Sequence, residues 1–277
     1  MPFSNEALRQ VIEGQDWTAH NIRLTSEVTT RPGEPDFIET DLRLHAIIRA
    51  LSVVYRDNLM GLRVADLGCL EGGFSLALAQ RGMNMLGIEA RRKNLEKAQL
   101  LKEHFETINL EFLCDDVKNF SRERFGMFEV VLALGILYHL DQPVAWLRQI
   151  AEATSGVLVV ESHFAPSDES SLSQIDPRLS QLGPIEKVEI GRETYEGRWF
   201  FEYGEKADRE AQLWASYSNR SSFWLTKESL LRALTHSGFD LVLEQHDYSV
   251  DFYKHLSITF PRGMFLAIKG SGLKLRV

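Results

Sequence analysis

The chain has 277 residues, of which 44% are hydrophobic and 25% charged, as in soluble globular proteins. This length suffices for one large α/β domain with an addition, or for two small domains. The net charge of −8 disfavours a protein whose main role is unspecific binding to nucleic-acid phosphates. The acidic N-terminus lacks the apolar segment of a signal peptide, and the longest apolar run, at residues 130–140, is too short to span a bilayer.

The first 58 residues are predicted to form an N-terminal helical cap. Residues 5–14 fit a short helix, residues 17–28 an extended stretch, and residues 30–35 a turn-rich loop. Apolar side chains recur at helical spacing over residues 37–57, which predicts a long helix there.

Residues 59–165 alternate short apolar strands with helices. This alternation predicts a parallel sheet that is covered by helices on both faces. The predicted strands are Arg63–Leu67, Asn84–Glu89, Leu110–Cys114, Phe128–Leu134 and residues 156–161. The predicted helices cover residues 73–81, 91–106, 121–125 and 144–153.

Two further segments complete the predicted organisation. Residues 166–222 break the alternation and are rich in aromatic side chains, which favours an ordered lid over a disordered linker. Residues 223–277 are predicted to close the core with a helix, capped by Thr226 and ended by Gly238, and two strands. These two strands are predicted at residues 239–246 and 264–269. The expected fold is a Rossmann-like, seven-stranded, mostly parallel sheet with an N-terminal helical segment and an inserted lid.

A glycine-rich turn after the first strand indicates a nucleotide-type cofactor. Asp66 lies at the end of that strand, and Gly68, Gly72 and Gly73 would let a ligand approach the backbone closely. The following helix would point its amide groups at the ligand. A dinucleotide site would require the spacing G-x-G-x-x-G, and Asp66 would repel a pyrophosphate. A cationic cofactor without phosphate fits this turn better.

Three more loops are expected at the same edge of the sheet, where ligands of open α/β folds bind. Glu89 ends the second strand and suits the two hydroxyls of a ribose. Asp115 and Asp116, beside the apolar Val117, could meet an adenine, although a solvated turn or a helix cap is a close alternative. The fourth loop covers residues 134–140.

In this order and spacing the motifs resemble those of class I S-adenosylmethionine-dependent methyltransferases, over roughly residues 60–165. Leu70 departs from the pattern because the family usually has glycine there. The resemblance implies S-adenosylmethionine as cofactor and S-adenosylhomocysteine as product. It implies these cofactor-binding residues: Asp66, Gly68, Cys69, Gly72, Phe74, Glu89, Ala90, Asp115, Asp116, Val117, Leu134 and Gly135.

Residues 134–140 and 223–226 resemble one branch of this family more specifically, as do Trp17 and His20. That branch contains the tRNA wobble-uridine carboxymethyltransferases and many small-molecule methyltransferases. The wobble-uridine enzymes use an arginine for the cofactor carboxylate, and this position is Asn219 here, with Arg220 beside it. An ordinary methyl donor is therefore expected.

Tyr138 and His139 are the catalytic candidates, since they follow a buried strand. His139 could act as a general base or substrate ligand, or it could hydrogen-bond to the backbone and orient the loop. Glu161 and His163 alternate on an extended segment and so share one face, where they could hold a polar substrate or form a structural pair. A metal site is not expected. The substrate-binding candidates are Trp17, His20, Tyr138, His139, Glu161, His163, Tyr195, Trp199, Asn219, Arg220 and Trp224.

We therefore expect methyl transfer to an oxygen, nitrogen or sulfur nucleophile of a small molecule by direct displacement. A tRNA-modifying methyltransferase and a non-catalytic cofactor-binding partner protein are the alternatives. A homodimer is possible, a membrane partner is not expected, and the protein is expected to be cytoplasmic. Cys69 and Cys114 would lie two strand spacings apart, roughly 10 Å, which is too far for a disulfide, and both are expected to be packing residues.

Overall fold

The structure is a computed structural model that describes residues 4–167, 181–205, 207–248 and 261–270. The chain divides into two compact units, Met1–Val117 and Lys118–Val277. Within the described ranges, no helix is long and apolar enough to cross a membrane.

The first unit contains three parallel strands and four helices. Its helices are α1 (Asn5–Glu13), α2 (Leu42–Tyr55), α3 (Gly73–Ala79) and α4 (Arg92–His104), with a 3₁₀ turn at Ile38–Thr40. Its strands are β1 (Arg63–Leu67), β2 (Asn84–Glu89) and β3 (Leu110–Cys114). β2 lies between β1 and β3 and is parallel to both. Cys69 and Cys114 are both unpaired thiols, but only Cys69 is buried, so the expectation that Cys114 is a packing residue is wrong.

The described residues of the second unit contribute strands to two different sheets. Its helices are α5 (Arg122–Phe125), α6 (Pro143–Ala153) and α7 (Lys227–His236), with 3₁₀ turns at Val117–Asn119, where the unit begins, and Leu137–His139. Its strands are β4 (Phe128–Leu134), β5 (Thr154–His163), β6 (Leu182–Ile190), β7 (Glu193–Phe201), β8 (Ser221–Leu225), β9 (Leu241–Gln245) and β10 (Arg262–Ile268). β4 and β5 are parallel, whereas β10 is antiparallel to both β5 and β9. β6, β7 and β8 form a separate antiparallel sheet.

The main sheet has seven strands in the order β3-β2-β1-β4-β5-β10-β9. Nearly every residue of β1, β4 and β5 is buried, as expected for strands that are covered on both faces. The predicted Rossmann-like, mostly parallel seven-stranded sheet is confirmed.

Several predicted boundaries differ from the structure, and two of the differences have identifiable reasons. The helix predicted over residues 37–57 is interrupted because Asp41 has an extended backbone and its carboxylate accepts a hydrogen bond from the Arg43 amide (2.8 Å), which starts α2. β5 extends to His163, beyond the predicted residues 156–161, because Arg262 of β10 pairs with His163.

The predicted lid contains β6, β7 and the first two residues of β8, which the sequence did not indicate as strands; the rest of β8 belongs to the predicted closing segment. Residues 168–180 of the lid, and residues 249–260 and 271–277 of the closing segment, lie outside the described residues. The division of the chain at residues 58, 165 and 222 stays a prediction. The predicted N-cap of α7 is present, since Thr226 Oγ1 accepts a hydrogen bond from the Ser229 amide (3.2 Å).

Candidate functional site

In the first unit, the glycine-rich turn reverses the chain directly after β1. Gly68 and Gly72 both have φ of 76°, in the left-handed region that favours glycine. The amides of Gly68 and Cys69 both donate to the Ile88 carbonyl of β2, at 2.8 and 3.1 Å. Leu70 has φ of 49°, so the position where the family usually has glycine adopts a left-handed backbone here with a leucine. The turn expected from the sequence is therefore formed, at a cost in backbone strain.

Asp66 is buried at the end of β1. One of its carboxylate oxygens accepts a hydrogen bond from Ser75 Oγ in α3 (2.6 Å). Burial raises the pKa of Asp66 to about 6, the Ser75 hydrogen bond opposes this rise, and the Glu89 charge adds to it. A positive charge nearby would favour the ionised form of this carboxyl.

Glu89 is the second buried carboxylate of the unit. Its Oε2 accepts from the Leu70 amide (3.1 Å) and its Oε1 from the Arg91 amide (2.8 Å). Burial raises the pKa of Glu89, although these amides and the Arg91 charge oppose the rise. Glu89 thus holds the strained Leu70 in place from the neighbouring strand.

Glu71 organises the N-terminal segment around this turn, a role that its sequence context did not indicate. It is fully buried, and it accepts hydrogen bonds from the amides of Thr18, Ala19 and His20 at 2.6, 3.1 and 3.0 Å. Lys97 Nζ lies 3.0 Å from Glu71 Oε1, and the lysine is almost as deeply buried. Burial raises the pKa of Glu71, but the amides and the nearby cations outweigh it, so the pKa is lowered.

His20 caps the N-terminal end of α3 with its side chain. Its Nδ1 accepts a hydrogen bond from the Gly73 amide (3.1 Å), which requires a neutral ring with its proton on Nε2. Burial lowers the pKa of His20 to about 4, so the ring is neutral at pH 7. A Cβ on Gly73 would lie 2.7 Å from His20 Cγ, so this close contact needs glycine. Because His20 takes an amide that would otherwise be open to an anion, the arrangement suits a cofactor without phosphate.

The remaining candidates of the first unit lie around these groups. Phe74 is buried and contacts His20 edge-on, with ring centroids 5.6 Å apart. The Asp115 amide donates to the Glu89 carbonyl (3.1 Å), and the Asp115 carboxylate accepts from the Asp116 amide (2.8 Å). These bonds place the predicted adenine turn directly after β3. Three other candidates lie in this unit. The ring of Trp17 lies 5.7 Å from Lys97 Nζ. Val117 is buried, and Ala90 is partly buried.

In the second unit, His139 forms a carboxylate–imidazole pair with Glu202, which the sequence analysis did not single out. His139 Nδ1 lies 2.9 Å from Glu202 Oε1. Glu202 is buried, with 2% of its side chain exposed, and also accepts hydrogen bonds from Ser222 Oγ (2.7 Å) and the Ser216 amide (3.2 Å). The carboxylate can only accept, so Nδ1 carries a proton, and in the neutral ring Nε2 then has the lone pair. Nε2 has no hydrogen-bond partner within the part of the chain that the structure describes.

Asn219 fixes the backbone of the same loop. Its side-chain amide donates to the carbonyls of His139 (3.0 Å) and Ser221 (2.8 Å), while its oxygen accepts from Ser216 Oγ (2.7 Å). These bonds place Asn219 beside His139.

Glu161 and His163 share one face of β5, as predicted, and both contact Arg262 of β10. The Arg262 guanidinium pairs with both carboxylate oxygens of Glu161, through Nε and through Nη2 (2.6 Å). Its Nη1 lies 3.4 Å from His163 Nε2. Burial, together with the Arg262 charge, lowers the pKa of His163 to about 3, so this ring stays neutral. Arg262 lies far from this pair in sequence, and no local pattern indicated it.

Three aromatic rings, those of Trp224, Phe200 and Tyr138, pack beside these residues. The Trp224 ring stacks on His163 (5.1 Å between centroids) and on Phe200 (5.0 Å), and it meets Tyr138 edge-on (5.6 Å). The Tyr138 ring lies 4.3 Å from the His139 ring. Tyr138 and Trp224, both expected near the substrate, are therefore adjacent to each other and to His163.

The loop after β4 lies next to this cluster. The Gly135 amide donates to the Glu161 carbonyl (2.8 Å), and its φ of 71° favours glycine. A Cβ at Gly135 would lie 3.5 Å from the Tyr138 hydroxyl and 3.6 Å from Arg262 Nη2. Leu134, the last residue of β4, pairs with Glu161. This loop thus brings the catalytic candidates and the Glu161–Arg262 pair together.

Three substrate candidates lie elsewhere in the second unit. Tyr195 is fully buried, and its hydroxyl lies 3.0 Å from His236 Nδ1. Trp199 donates to Glu186 on the surface (3.2 Å), and Arg220 forms an exposed ion pair with Glu205 (2.7 Å). Neither Tyr195 nor Trp199 has a hydrogen bond to, or a ring contact with, His139 or His163 in the described ranges, whereas the Arg220 carbonyl accepts a hydrogen bond from the Glu202 amide (2.8 Å). Within those ranges, no group of three or more His, Cys, Asp or Glu side chains could hold a metal ion.

Comparisons with known proteins identify the family and the fold. A family model described as a methyltransferase domain matches residues 38–244. A ubiquinone biosynthesis O-methyltransferase from Acinetobacter baylyi is 28% identical over 91 residues, which is 33% of this chain and 38% of that protein. The chain therefore matches well under half the length of this curated relative.

Solved structures show the same fold over more of the chain. The N-terminal domain of EvdMO1, determined in the presence of SAH and D-fucose, superposes with a TM-score of 0.69 at 22% identity. This match covers 97% of the present chain and 98% of that domain. Magnesium protoporphyrin IX methyltransferase from Synechocystis PCC 6803, with bound SAM, gives a TM-score of 0.50 at 17% identity and covers 86% of each chain. At these identities the likeness establishes the fold.

Proposed function

The chain belongs to the methyltransferase-domain family, and we propose that it is an enzyme that transfers a methyl group from S-adenosylmethionine to a hydroxyl oxygen of a small molecule. The observation that carries the choice of acceptor is the pair of His139 and Glu202. A hydroxyl must lose its proton as it attacks, so a base matters most for this nucleophile. The O-methyltransferase relative and the EvdMO1 domain with D-fucose support the same choice.

The first unit supplies residues that fit the cofactor. Asp66 and Glu89 are buried carboxylates with raised pKa values, so a cationic ligand would stabilise their ionised forms. Glu89, at the end of β2, is proposed to bind the ribose hydroxyls. Asp116 and Val117 are proposed to contact the adenine, and the turn from Gly68 to Gly72 the methionine part.

The second unit supplies residues that fit the reaction. His139 Nε2 would accept the proton of the acceptor hydroxyl as the hydroxyl oxygen takes the methyl group from the cofactor's sulfur. When bound, the cofactor supplies this methyl group on a positively charged sulfur. Glu202 holds the ring with Nε2 toward the acceptor and stabilises the imidazolium that forms. Tyr138, His163 and Trp224 are proposed to line the acceptor.

Substitution of Glu202 by glutamine tests this assignment. Glu202→Gln keeps the shape but removes the charge that stabilises the imidazolium, and His139→Gln removes the base itself. With sugars and phenols as acceptors, we expect formation of S-adenosylhomocysteine to fall by about 10²-fold or more in both variants. Their affinity for S-adenosylhomocysteine should stay that of the wild type.

Ser222→Ala is the matched control, because it removes only the hydrogen bond that the Ser222 hydroxyl donates to Glu202 and leaves the carboxylate charge of Glu202 in place. It should lower the rate by much less than Glu202→Gln. Wild-type rates in both the His139 and Glu202 variants, with any acceptor that the enzyme methylates, would contradict the role of the pair.

A further inference from the structure

One face of the sheet β6-β7-β8 carries two buried hydrogen-bond donors without acceptors. Arg198 of β7 and Trp224 of β8 are direct register partners. Opposed residues of antiparallel strands project their side chains to the same face, so the two lie side by side. Arg198 is 1% exposed and Trp224 6% exposed. Arg198 Nη2 and Trp224 Nε1 are both buried and have no hydrogen-bond partner among the described residues.

The charge of Arg198 is not neutralised by any side chain in the described ranges. Its Nε donates to the Pro166 carbonyl (2.9 Å) and its Nη1 to the Gly183 carbonyl (2.9 Å), and both acceptors are uncharged. A guanidinium remains protonated at all ordinary pH values. Because burying a charge without a counter-charge is strongly unfavourable, a purely structural role gives no reason for an arginine here.

The chemistry of the two donors defines the missing partner. Arginine and tryptophan side chains donate hydrogen bonds and do not accept them, so the group between them must be an acceptor. An oxyanion meets this requirement and also supplies the negative charge. Enclosure away from water strengthens such charge-assisted hydrogen bonds.

We propose that Arg198 Nη2 and Trp224 Nε1 bind an oxyanion, a carboxylate or phosphate, that belongs to the acceptor molecule. The proposal rests on the proposed function and adds a substrate class: a hydroxylated small molecule that carries an anionic group. Arg198 is then a specificity-determining residue, remote from the methyl transfer itself.

The position of Trp224 connects this subsite to the catalytic candidates. Its ring stacks on His163 and touches Tyr138, and the Tyr138 ring packs against His139. Its indole nitrogen, on the same side chain, is the unpartnered donor of the residue that pairs with Arg198 in the sheet. An acceptor held through its oxyanion at Arg198 would therefore lie along the aromatic cluster that leads to His139.

Thermal unfolding in the presence of simple oxyanions tests the subsite. The full chain, saturated with S-adenosylhomocysteine, is titrated with sodium phosphate or sodium acetate at constant ionic strength, with chloride as the control ion. We expect a saturable rise of Tm in the wild type with at least one of the two oxyanions and none with chloride. The ion that gives the larger rise shows whether phosphate or carboxylate is preferred.

Two variants remove one donor each. Arg198→Gln loses the charge but keeps an amide that can donate to a backbone carbonyl, and it should abolish the rise. Trp224→Phe keeps the stacked ring and loses only Nε1–H, and it should weaken the apparent affinity about fivefold or more. Wild-type ion responses in Arg198→Gln, or no response of the wild type to either oxyanion, would overturn the proposal. If Arg198→Gln does not fold, an unchanged response in Trp224→Phe overturns it.

Calorimetric titration with S-adenosylhomocysteine separates this proposal from the proposed function. Both variants should bind S-adenosylhomocysteine as the wild type does. If the wild type does not bind it, the proposed function fails, and the same ion titration of the ligand-free chain still decides on the oxyanion subsite.

Discussion

At the scale of single residues, Leu70 has a left-handed backbone where the family usually has glycine. Leu70→Gly and Leu70→Ala both remove the side chain, but only glycine relieves the strain at φ of 49°. We therefore expect Leu70→Gly to be more stable than Leu70→Ala by about 1 kcal/mol, measured as the free energy of unfolding in urea. Equal stabilities of the two variants would show that the backbone at this position is not strained.

Burial of Asp66 lowers the stability of the folded chain at neutral pH. Its pKa is about 6 in the folded chain against 3.8 in a model compound, so the folded state binds the proton more tightly. The Asp66 carboxyl therefore does not change the free energy of unfolding below about pH 4. As the pH rises through 6, it lowers this free energy increasingly, by at most about 3 kcal/mol. Asp66→Asn removes this cost and can keep the hydrogen bond from Ser75.

We expect the stability of Asp66→Asn relative to the wild type to increase between pH 4.5 and pH 8, measured by urea unfolding at both values. Glu103→Gln, on the exposed side of α4, is the control and should show no such change. A constant difference between Asp66→Asn and the wild type at the two pH values would contradict the raised pKa. Other titrating groups, His20 among them, are common to both proteins and cancel in the comparison.

At the scale of elements, Glu71 connects the N-terminal segment to the glycine-rich turn that follows β1. Glu71→Gln breaks the buried pair with Lys97 and weakens the acceptor of three backbone amides, which should cost about 3–5 kcal/mol. The amides of Thr18, Ala19 and His20 should then exchange with solvent much faster, as measured by hydrogen–deuterium exchange.

Glu27→Gln is the matched control, since Glu27 pairs with Arg9 on the surface and 60% of its side chain is exposed. Its effect should stay below about 1 kcal/mol. Unchanged amide exchange at residues 18–20 in Glu71→Gln would show that other contacts hold the N-terminal segment.

The elements also show which parts of the fold the sequence could predict. The bounds of β1 to β4 agree with the predicted ones because each of these strands is an apolar run that ends at an acidic residue, a glycine or a turn. The hairpin of β6 and β7 was missed because β6 is largely exposed and lacks a continuous apolar face. Gly191, with φ of 70° between two strands rich in β-branched and aromatic residues, was the available signal.

The candidate site also contains residues that the sequence could predict and residues that it could not. Asp66, Glu89 and the glycines were predictable, since their spacing along the chain is fixed by the strands that precede them. Glu202, 63 residues from His139, and Arg262, 101 residues from Glu161, meet their partners only through tertiary structure. Glu71 lies within the turn, but its partners Thr18 and Lys97 come from distant segments.

At the scale of the whole molecule, each unit carries one set of groups with a proposed role in methyl transfer. The first unit has the buried carboxylates and the glycine turn, which we propose bind a cationic nucleotide cofactor. The second has a carboxylate–imidazole pair, an aromatic cluster and a buried guanidinium, which we propose bind the acceptor. Together with the family match over residues 38–244, these sets account for the proposed reaction.

The most direct measurement is calorimetric titration of the full chain with S-adenosylhomocysteine, for the wild type and for Glu89→Gln. The account predicts one site per chain with a dissociation constant in the micromolar range, weakened about tenfold or more in Glu89→Gln through the lost ribose contact. The absence of binding to the wild type, or equal affinity of both proteins, would contradict it.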